Sequence, residues 1–455
     1  MSAHVHYIEA ENYNIAFFPA SHRFFKVNQD AMSLIEALSG PHEKTAIMQA
    51  HSLSEEDYYK YEKYVNENLD DLENQERNQK QNEKILSRLV IHLTNDCNLR
   101  CKYCYANGGS YLSERSILNQ GTLDQILSVF FGFFDQIQRI QFFGGEPLMN
   151  IPMMEYCCKK ITEMTATDKR PVFGVITNGT IINDHLIELI NEYKINVTFS
   201  YDGNPEVNDI MRIKQDGSGT SQAIIENIRR LKKATNQPEL IEVTYNNYHV
   251  QANIGILDVV NHIKDIDPDL QVHLVPAGCA DDSPYGIDDL SMFPRSVKEI
   301  CEYYKGDVSG KVIPSYSLAE RVFNNLRNTK AKSSLICDAG LGTISVSTQG
   351  DIYPCFMFTD NPKMKLGNIY DQNVFTSEKY AKQMNRIFDF SVKDNNPECQ
   401  KCFIKDFCSG CLGINAFQSG DPFTLSEKNC DMYRGMFEEG IRSLIRLEDL
   451  KKETQ

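Results

Sequence analysis

Leu89-Val90-Ile91-His92-Leu93-Thr94-Asn95-Asp96-Cys97-Asn98-Leu99-Arg100-Cys101-Lys102-Tyr103-Cys104 joins an apolar run to three cysteines spaced C-x3-C-x2-C. The apolar run predicts a buried strand, and the cysteines fall in the loop that leaves it. A cubane iron–sulfur cluster ordinarily takes four thiolates. Three closely spaced thiolates hold three corners and leave one iron open to chemistry. A zinc site fits this spacing poorly, since it wants paired knuckles or Cys/His pairs. A disulfide needs an oxidising compartment, and the first residues lack a charged-then-apolar signal pattern.

The remaining bulk features agree with a soluble, cytoplasmic protein. Of 455 residues, 41% are hydrophobic and 24% charged, an ordinary globular composition. No apolar run approaches the roughly 18 residues of a membrane span; the dense stretch Ile126-Leu127-Ser128-Val129-Phe130-Phe131 soon meets Gly132 and Asp135. No membrane partner is expected. A net charge of −15 argues against nucleic acid, which calls for a basic stripe. Seven of the 14 cysteines fall between Cys337 and Cys430, and clustering in a reducing compartment points to metal ligation.

Three short alternating stretches open the chain: His4–Glu9, Tyr13–Phe18 and Phe24–Val27. They predict a small meander. A helix follows from Gln29, with Ala31, Leu34, Ile35 and Leu38 on one face and Gly40-Pro41 after it. The polar, charged stretch from Ser54 to Lys84 reads as an exposed spacer helix. Beyond it, strands at Leu89–Leu93, Arg139–Phe143, Val172–Thr177, Asn196–Ser200, Ile241–Tyr245 and Gln271–Val275 alternate with helices at Thr122–Phe134, Met153–Thr165, Asp184–Tyr193 and Ser221–Lys233. Alternation of this kind predicts a parallel sheet with right-handed crossovers. Pattern alone leaves open sheet and barrel equally available.

Motifs stand at the ends of these strands. Gly144-Gly145-Glu146-Pro147 ends the second, Thr177-Asn178-Gly179-Thr180 the third and Ser200-Tyr201-Asp202-Gly203 the fourth, with Arg212 nine residues on. With the cysteine loop and its aromatic Tyr103, this set resembles the radical S-adenosylmethionine (radical SAM) superfamily. The resemblance implies an α/β fold, a partial (β/α)6 barrel with the cluster loop after the first strand. Cys97, Cys101 and Cys104 would hold the radical 4Fe–4S cluster. The segment Gly144, Gly145, Glu146 and Pro147 would bind the cofactor's methionyl amino group, and Thr177 and Asn178 would line its pocket. Ser200 and Asp202 would belong to the same pocket, with Arg212 pairing the cofactor carboxylate. Tyr201 departs from the family's leucine.

The tail reads Cys337, then Gly350-Asp351-Ile352-Tyr353-Pro354-Cys355, then Cys399-x2-Cys402-x5-Cys408-x2-Cys411, then Cys430. It resembles the SPASM domain, which carries two auxiliary clusters, so three 4Fe–4S clusters are expected in all. The family's crossed ligation would give Cys399, Cys402, Cys408 and Cys430 to the second auxiliary cluster. Cys337, Cys355 and Cys411 would hold the first and leave one iron open. Sulfatase-maturing members carry an aspartate directly after the G-x4-C cysteine; here the residue is Phe356. Cys157, Cys158, Cys279 and Cys301 remain, and apolar neighbours mark most of them as structural thiols.

The first segment resembles the leader-recognition element (RRE) of peptide-modifying enzymes. The expected division is thus an RRE-like α+β unit with spacer over 1–84, a radical SAM core over 85–330 and a SPASM domain over 331–455. As a whole the chain resembles thioether-forming ranthipeptide (SCIFF) maturases, notably in Cys104–Gly109, Glu114–Ser116 and Phe142–Asn150. That implies a ribosomally made, cysteine-containing precursor peptide bound through its leader, and an electron donor such as flavodoxin or ferredoxin. A 5′-deoxyadenosyl radical would take hydrogen from the peptide before a cysteine sulfur bonds to the carbon. The enzyme alternatives are carbon–carbon crosslinking and sulfatase-type oxidation. A mere iron–sulfur electron carrier would not need the strand-end motifs.

Overall fold

A computed structural model describes residues 5–69, 84–111, 113–280, 282–303, 315–327 and 333–453. The expected boundary at 330/331, and the part of the spacer from 70 to 83, lie outside the described residues. The opening stretches form β1 (His6–Glu9), β2 (Asn14–Phe18) and β3 (Arg23–Val27), an antiparallel meander in that order. Helix Gln29–Leu38 follows, its N-terminus capped by the Asn28 side chain, which accepts the Ala31 N–H at 2.8 Å. Helices Lys44–Ala50 and Glu55–Leu69 complete the unit. The last differs from the exposed spacer expected: Tyr58, Val65 and Asn68 are buried. Its apolar positions were sparse but lay on one face, and Tyr58 and Val65 close a small core with Ala16, Phe18, Ile35 and Leu38.

The central sheet contains β5 (Arg88–Thr94), β7 (Arg139–Gly144), β8 (Val172–Thr177), β9 (Asn196–Ser200), β10 (Leu240–Tyr245) and β11 (Gln271–Pro276). The two-residue strands β4 (Ile85–Leu86) and β6 (Gln136–Ile137) pair separately below it. All five pairings among the six long strands are parallel. Side chains alternate as a pleat requires. Leu89, Ile91 and Leu93 of β5, with Ile140, Phe142, Val175, Val197, Phe199, Ile241 and Val243, join one core with Ile126, Phe130, Met154, Leu186, Ile228 and Val260 of the helices. Each such buried side chain contributes roughly 1.5–3 kcal/mol.

The sheet does not close on itself. Its order is β11-β10-β9-β8-β7-β5, and the β5 edge is taken by the tail through β12 (Thr343–Val346), then β13 (Asp351–Tyr353) and β14 (Gly367–Asn368). β12 runs parallel to β5, pairing Ser345 with Val90 and Val346 with Ile91. The tail is therefore built onto the core's sheet. The N-terminal meander docks on the tail as well. His6 stacks on Phe403 at 3.6 Å, Phe17 meets Phe403 and Phe407, and Arg442 Nε of the last helix (Glu427–Glu453) donates to the Glu9 carbonyl at 2.9 Å. Among the described residues no helix is long and apolar enough to cross a membrane.

Candidate active site and cluster sites

The cysteine loop is clamped by the ends of four strands. Gly145 N–H donates to the Thr94 carbonyl at 2.9 Å and Glu146 N–H to the Asp96 carbonyl at 2.8 Å. The approach is so close that a Cβ on Gly145 would stand 2.1 Å from the Asp96 oxygen, and one on Gly109 2.6 Å from the Gly145 Cα. Gly144 has φ +138, closed to ordinary side chains. Only glycines allow these backbones to meet.

The Glu146 carboxylate faces inward and is fully buried. It accepts the Leu148 N–H (2.9 Å), the Thr177 hydroxyl (2.7 Å) and the Asn178 N–H (2.8 Å). Burial pushes its pKa up to about 7, against the pull of these donors. It ties the second strand end to the third, so its side chain acts as a strut. Asn178 then donates to Asn98 Oδ1 (2.8 Å) and lies 3.7 Å from the Cys97 sulfur, while Asn98 donates to Thr180 Oγ1 (2.9 Å).

From the other side, Arg100 N–H bonds the Ile213 carbonyl (2.7 Å) and Lys102 N–H that of Met211 (2.9 Å). These bonds zip the loop to the segment that carries Arg212. Asp202, fully buried, accepts Arg212 Nε at 3.1 Å, the Thr244 N–H at 3.2 Å and the Tyr103 hydroxyl. Its carboxylate aims Arg212 and Tyr103, and Arg212 keeps its terminal nitrogens for another anion. The guanidinium lies 5.5 Å from the Tyr103 ring centre. Ser200, half-buried at the end of β9, has no side-chain partner among the described residues. Tyr201 points the other way, buried among helices with its hydroxyl 3.0 Å from His262 Nε2. Its departure from leucine therefore leaves the pocket untouched.

The structure brings Cys97, Cys101 and Cys104 together with Gly144–Pro147, Thr177, Asn178, Asp202 and Arg212 in one place. Burial pushes the Cys97 thiol up to about 12 and the Cys101 thiol up to about 11. Thiols so desolvated are neutral alone; bound iron would supply the charge that favours thiolate. Three half-buried thiols, a glycine-closed backbone cradle and a guanidinium whose terminal nitrogens have no partner among the described residues fit a cluster and a zwitterionic amino-acid cofactor.

Cys402, Cys408 and Cys430 all act electrostatically on Cys399, which burial pushes up to about 12. Cys337 and Cys411 act likewise on Cys355, whose thiol burial raises further. The Cys411 sulfur also lies 3.6 Å from the Met357 thioether. Among the described residues no three His, Cys, Asp or Glu side chains converge as a single ion would need. Cys157, Cys158 and Cys301 are buried, Cys279 half-buried. Sequence reading gave no role to Asn98, inside the cysteine run, or to Thr180, inside the third strand-end motif, and it missed the buried Lys393, which carried no local signal.

Fold and site together define a class: S-adenosylmethionine-binding iron–sulfur proteins built on an open (β/α)6 sheet. Residues 91–263 match the radical SAM superfamily and residues 337–403 the SPASM iron–sulfur cluster-binding domain. The chain belongs to the radical SAM/SPASM family of peptide- and protein-modifying enzymes. It is similar to the radical SAM cyclopropyl synthase TigE of Paramaledivibacter caminithermalis, 24% identical over 381 residues that cover 80% of this chain and 75% of that one. The structure of anSMEcpe with bound AdoMet superposes with a TM-score of 0.66 at 19% identity, covering 80% of this chain and 95% of the other. Streptococcus suis SuiB bound to precursor peptide SuiA gives 0.53 at 14% identity over 94% of this chain and 99% of its own. The latter coverage necessarily includes most of the N-terminal unit.

Proposed function

We propose that the chain is a radical SAM maturase that joins a cysteine sulfur to a carbon within a ribosomally made precursor peptide. The observation that carries this reading is the count of seven cysteines between Cys337 and Cys430, an odd number that crossed ligation of the SPASM kind would divide into four and three. Bound to Cys97, Cys101 and Cys104, the cluster and S-adenosylmethionine supply reductive cleavage of the cofactor and hence a carbon-centred radical. The chain's part is to orient: Arg212 holds the cofactor carboxylate, Asp202 holds Arg212, and the Gly144–Pro147 backbone receives the amino group. Cys337, Cys355 and Cys411 leave a ligand position for the substrate thiol, which metal binding would favour as thiolate. Phe356 supports this route over sulfatase-type oxidation, because no carboxylate follows Cys355 directly.

The N-terminal meander supports a leader-binding role. Among the described residues β3 has one strand neighbour, β2, so its other edge can take an added strand. The precursor's leader is the proposed occupant, and a flavodoxin or ferredoxin the proposed reductant. The similarity to a cyclopropyl synthase favours a second reading, carbon–carbon bond formation.

Mass spectrometry of a co-expressed cysteine-containing precursor separates the two. Thioether formation removes two hydrogens per link and makes the cysteine inert to alkylation. A product with the same mass loss but fully alkylatable cysteines would establish the second reading instead. Replacing Cys97, Cys101 and Cys104 together by alanine should abolish cofactor cleavage while the tail keeps its iron; undiminished 5′-deoxyadenosine from that variant would sink the site assignment.

A further inference from the structure

Lys393 has a side chain 1% exposed. Its ammonium donates to the carbonyl oxygens of Ser333 (2.8 Å), Lys405 (2.6 Å) and Cys408 (2.7 Å). It also lies within electrostatic reach of the Cys408 and Cys399 side chains. Three carbonyl dipoles satisfy its protons but carry no net charge. Among the described residues no carboxylate forms an ion pair with it. Asp394, the residue next to it, is taken by Lys405 at 2.8 Å, and Asp406 acts on it only from a distance.

A buried cation without a counter-ion is strongly unfavourable. The anion that this site can hold is the iron–sulfur cluster of the four surrounding thiolates. Arg434 offers a contrast at the same cluster. It reaches Cys402, but its charge is balanced by Asp431 at 2.5 Å and it is about a third exposed.

We propose that Lys393 is the built-in counter-ion of the second auxiliary cluster and raises its reduction potential, poising it to accept electrons. The inference rests on the reading that Cys399, Cys402, Cys408 and Cys430 ligate that cluster. Reduction makes the cluster one unit more negative, so a fixed neighbouring cation stabilises the reduced state more than the oxidised one. Burial keeps solvent from screening that effect.

The test uses full-length, iron-reconstituted protein lacking Cys97, Cys101 and Cys104, so that the tail clusters alone are read. Iron counts and redox titrations followed by electron paramagnetic resonance are compared for Lys393→Met, Lys393→Arg and Arg434→Met. Lys393→Met should move one midpoint to more negative potential, Lys393→Arg should stay near the parent, and Arg434→Met should shift less than Lys393→Met. Loss of one cluster's iron in Lys393→Met but not in Lys393→Arg would equally support a counter-ion. A full iron complement with an unmoved midpoint in Lys393→Met overturns the proposal. So does loss of iron in both Lys393 variants, which would mark a role of shape. A parent protein whose tail holds iron for one cluster only would instead overturn the ligand reading itself.

Discussion

His92 stands on β5 fully buried, its Nε2 3.1 Å from Thr359 Oγ1 and its Nδ1 without a partner among the described residues. Its ring edges meet Tyr111 and Phe143. Burial lowers its pKa from 6.5 to about 3, so the folded protein keeps it neutral. A depressed folded value means that stability is held above pH 6.5 and lost as pH falls toward 3. The slope is about 1.4 kcal/mol per pH unit. His92→Phe should flatten that stretch, and urea midpoints at pH 7, 6 and 5 measure it; equal slopes for both proteins would dismiss the idea. Glu146 has the opposite sign, its raised value favouring the fold below pH 4.5 and weakening it up to about 7. At Gly145 the argument is steric. Gly145→Ala must displace the cysteine loop and weaken S-adenosylmethionine binding at least tenfold, about 1.4 kcal/mol, which calorimetry would detect, while tail iron stays.

At the scale of elements, the pairing of β12 with β5 makes core and tail interdependent. Ile344 on β12 is 1% exposed, and its neighbours are Leu89 and the rest of the central core. Ile344→Ala should cost roughly 2–4 kcal/mol. Because one sheet supports both regions, denaturation followed by aromatic fluorescence and by loss of iron should share a midpoint. Separate transitions would show independent units. The six core strands and their helices were legible because each repeats a period, two residues in strands and three to four in helices. β12 was not. Thr343–Val346 is too short to announce a strand, and only the open β5 edge makes it one.

Over the whole molecule, the N-terminal meander lies against Phe403, Phe407 and the last helix, so deleting it would bare apolar surface on the tail. A point change tests leader capture more cleanly. Tyr64 is 41% exposed and contacts Phe25 of β3 at 5.6 Å, flanking the edge where a strand would add. Tyr64→Asp should weaken precursor binding roughly tenfold, about 1.4 kcal/mol, with no change in cofactor cleavage in the absence of peptide. Fluorescence anisotropy with a labelled precursor reads the first and 5′-deoxyadenosine release the second. Unchanged affinity would move the leader elsewhere.

The sequence by itself determined the chemistry that local spacing encodes: the C-x3-C-x2-C loop and the glycines after the second strand. Such features lie within one turn or strand end, where chain geometry leaves little freedom. Tertiary structure alone decided what depends on distant partners. It turned the carboxylates of Glu146 and Asp202, expected only as cofactor-pocket residues, into buried struts, because their donors come from other strand ends. It folded one face of the expected spacer helix into a core, and set the ammonium of Lys393 beside Cys408 with no ion-paired carboxylate among the described residues. A charge's partner is chosen by the fold, and no periodicity along the chain records it.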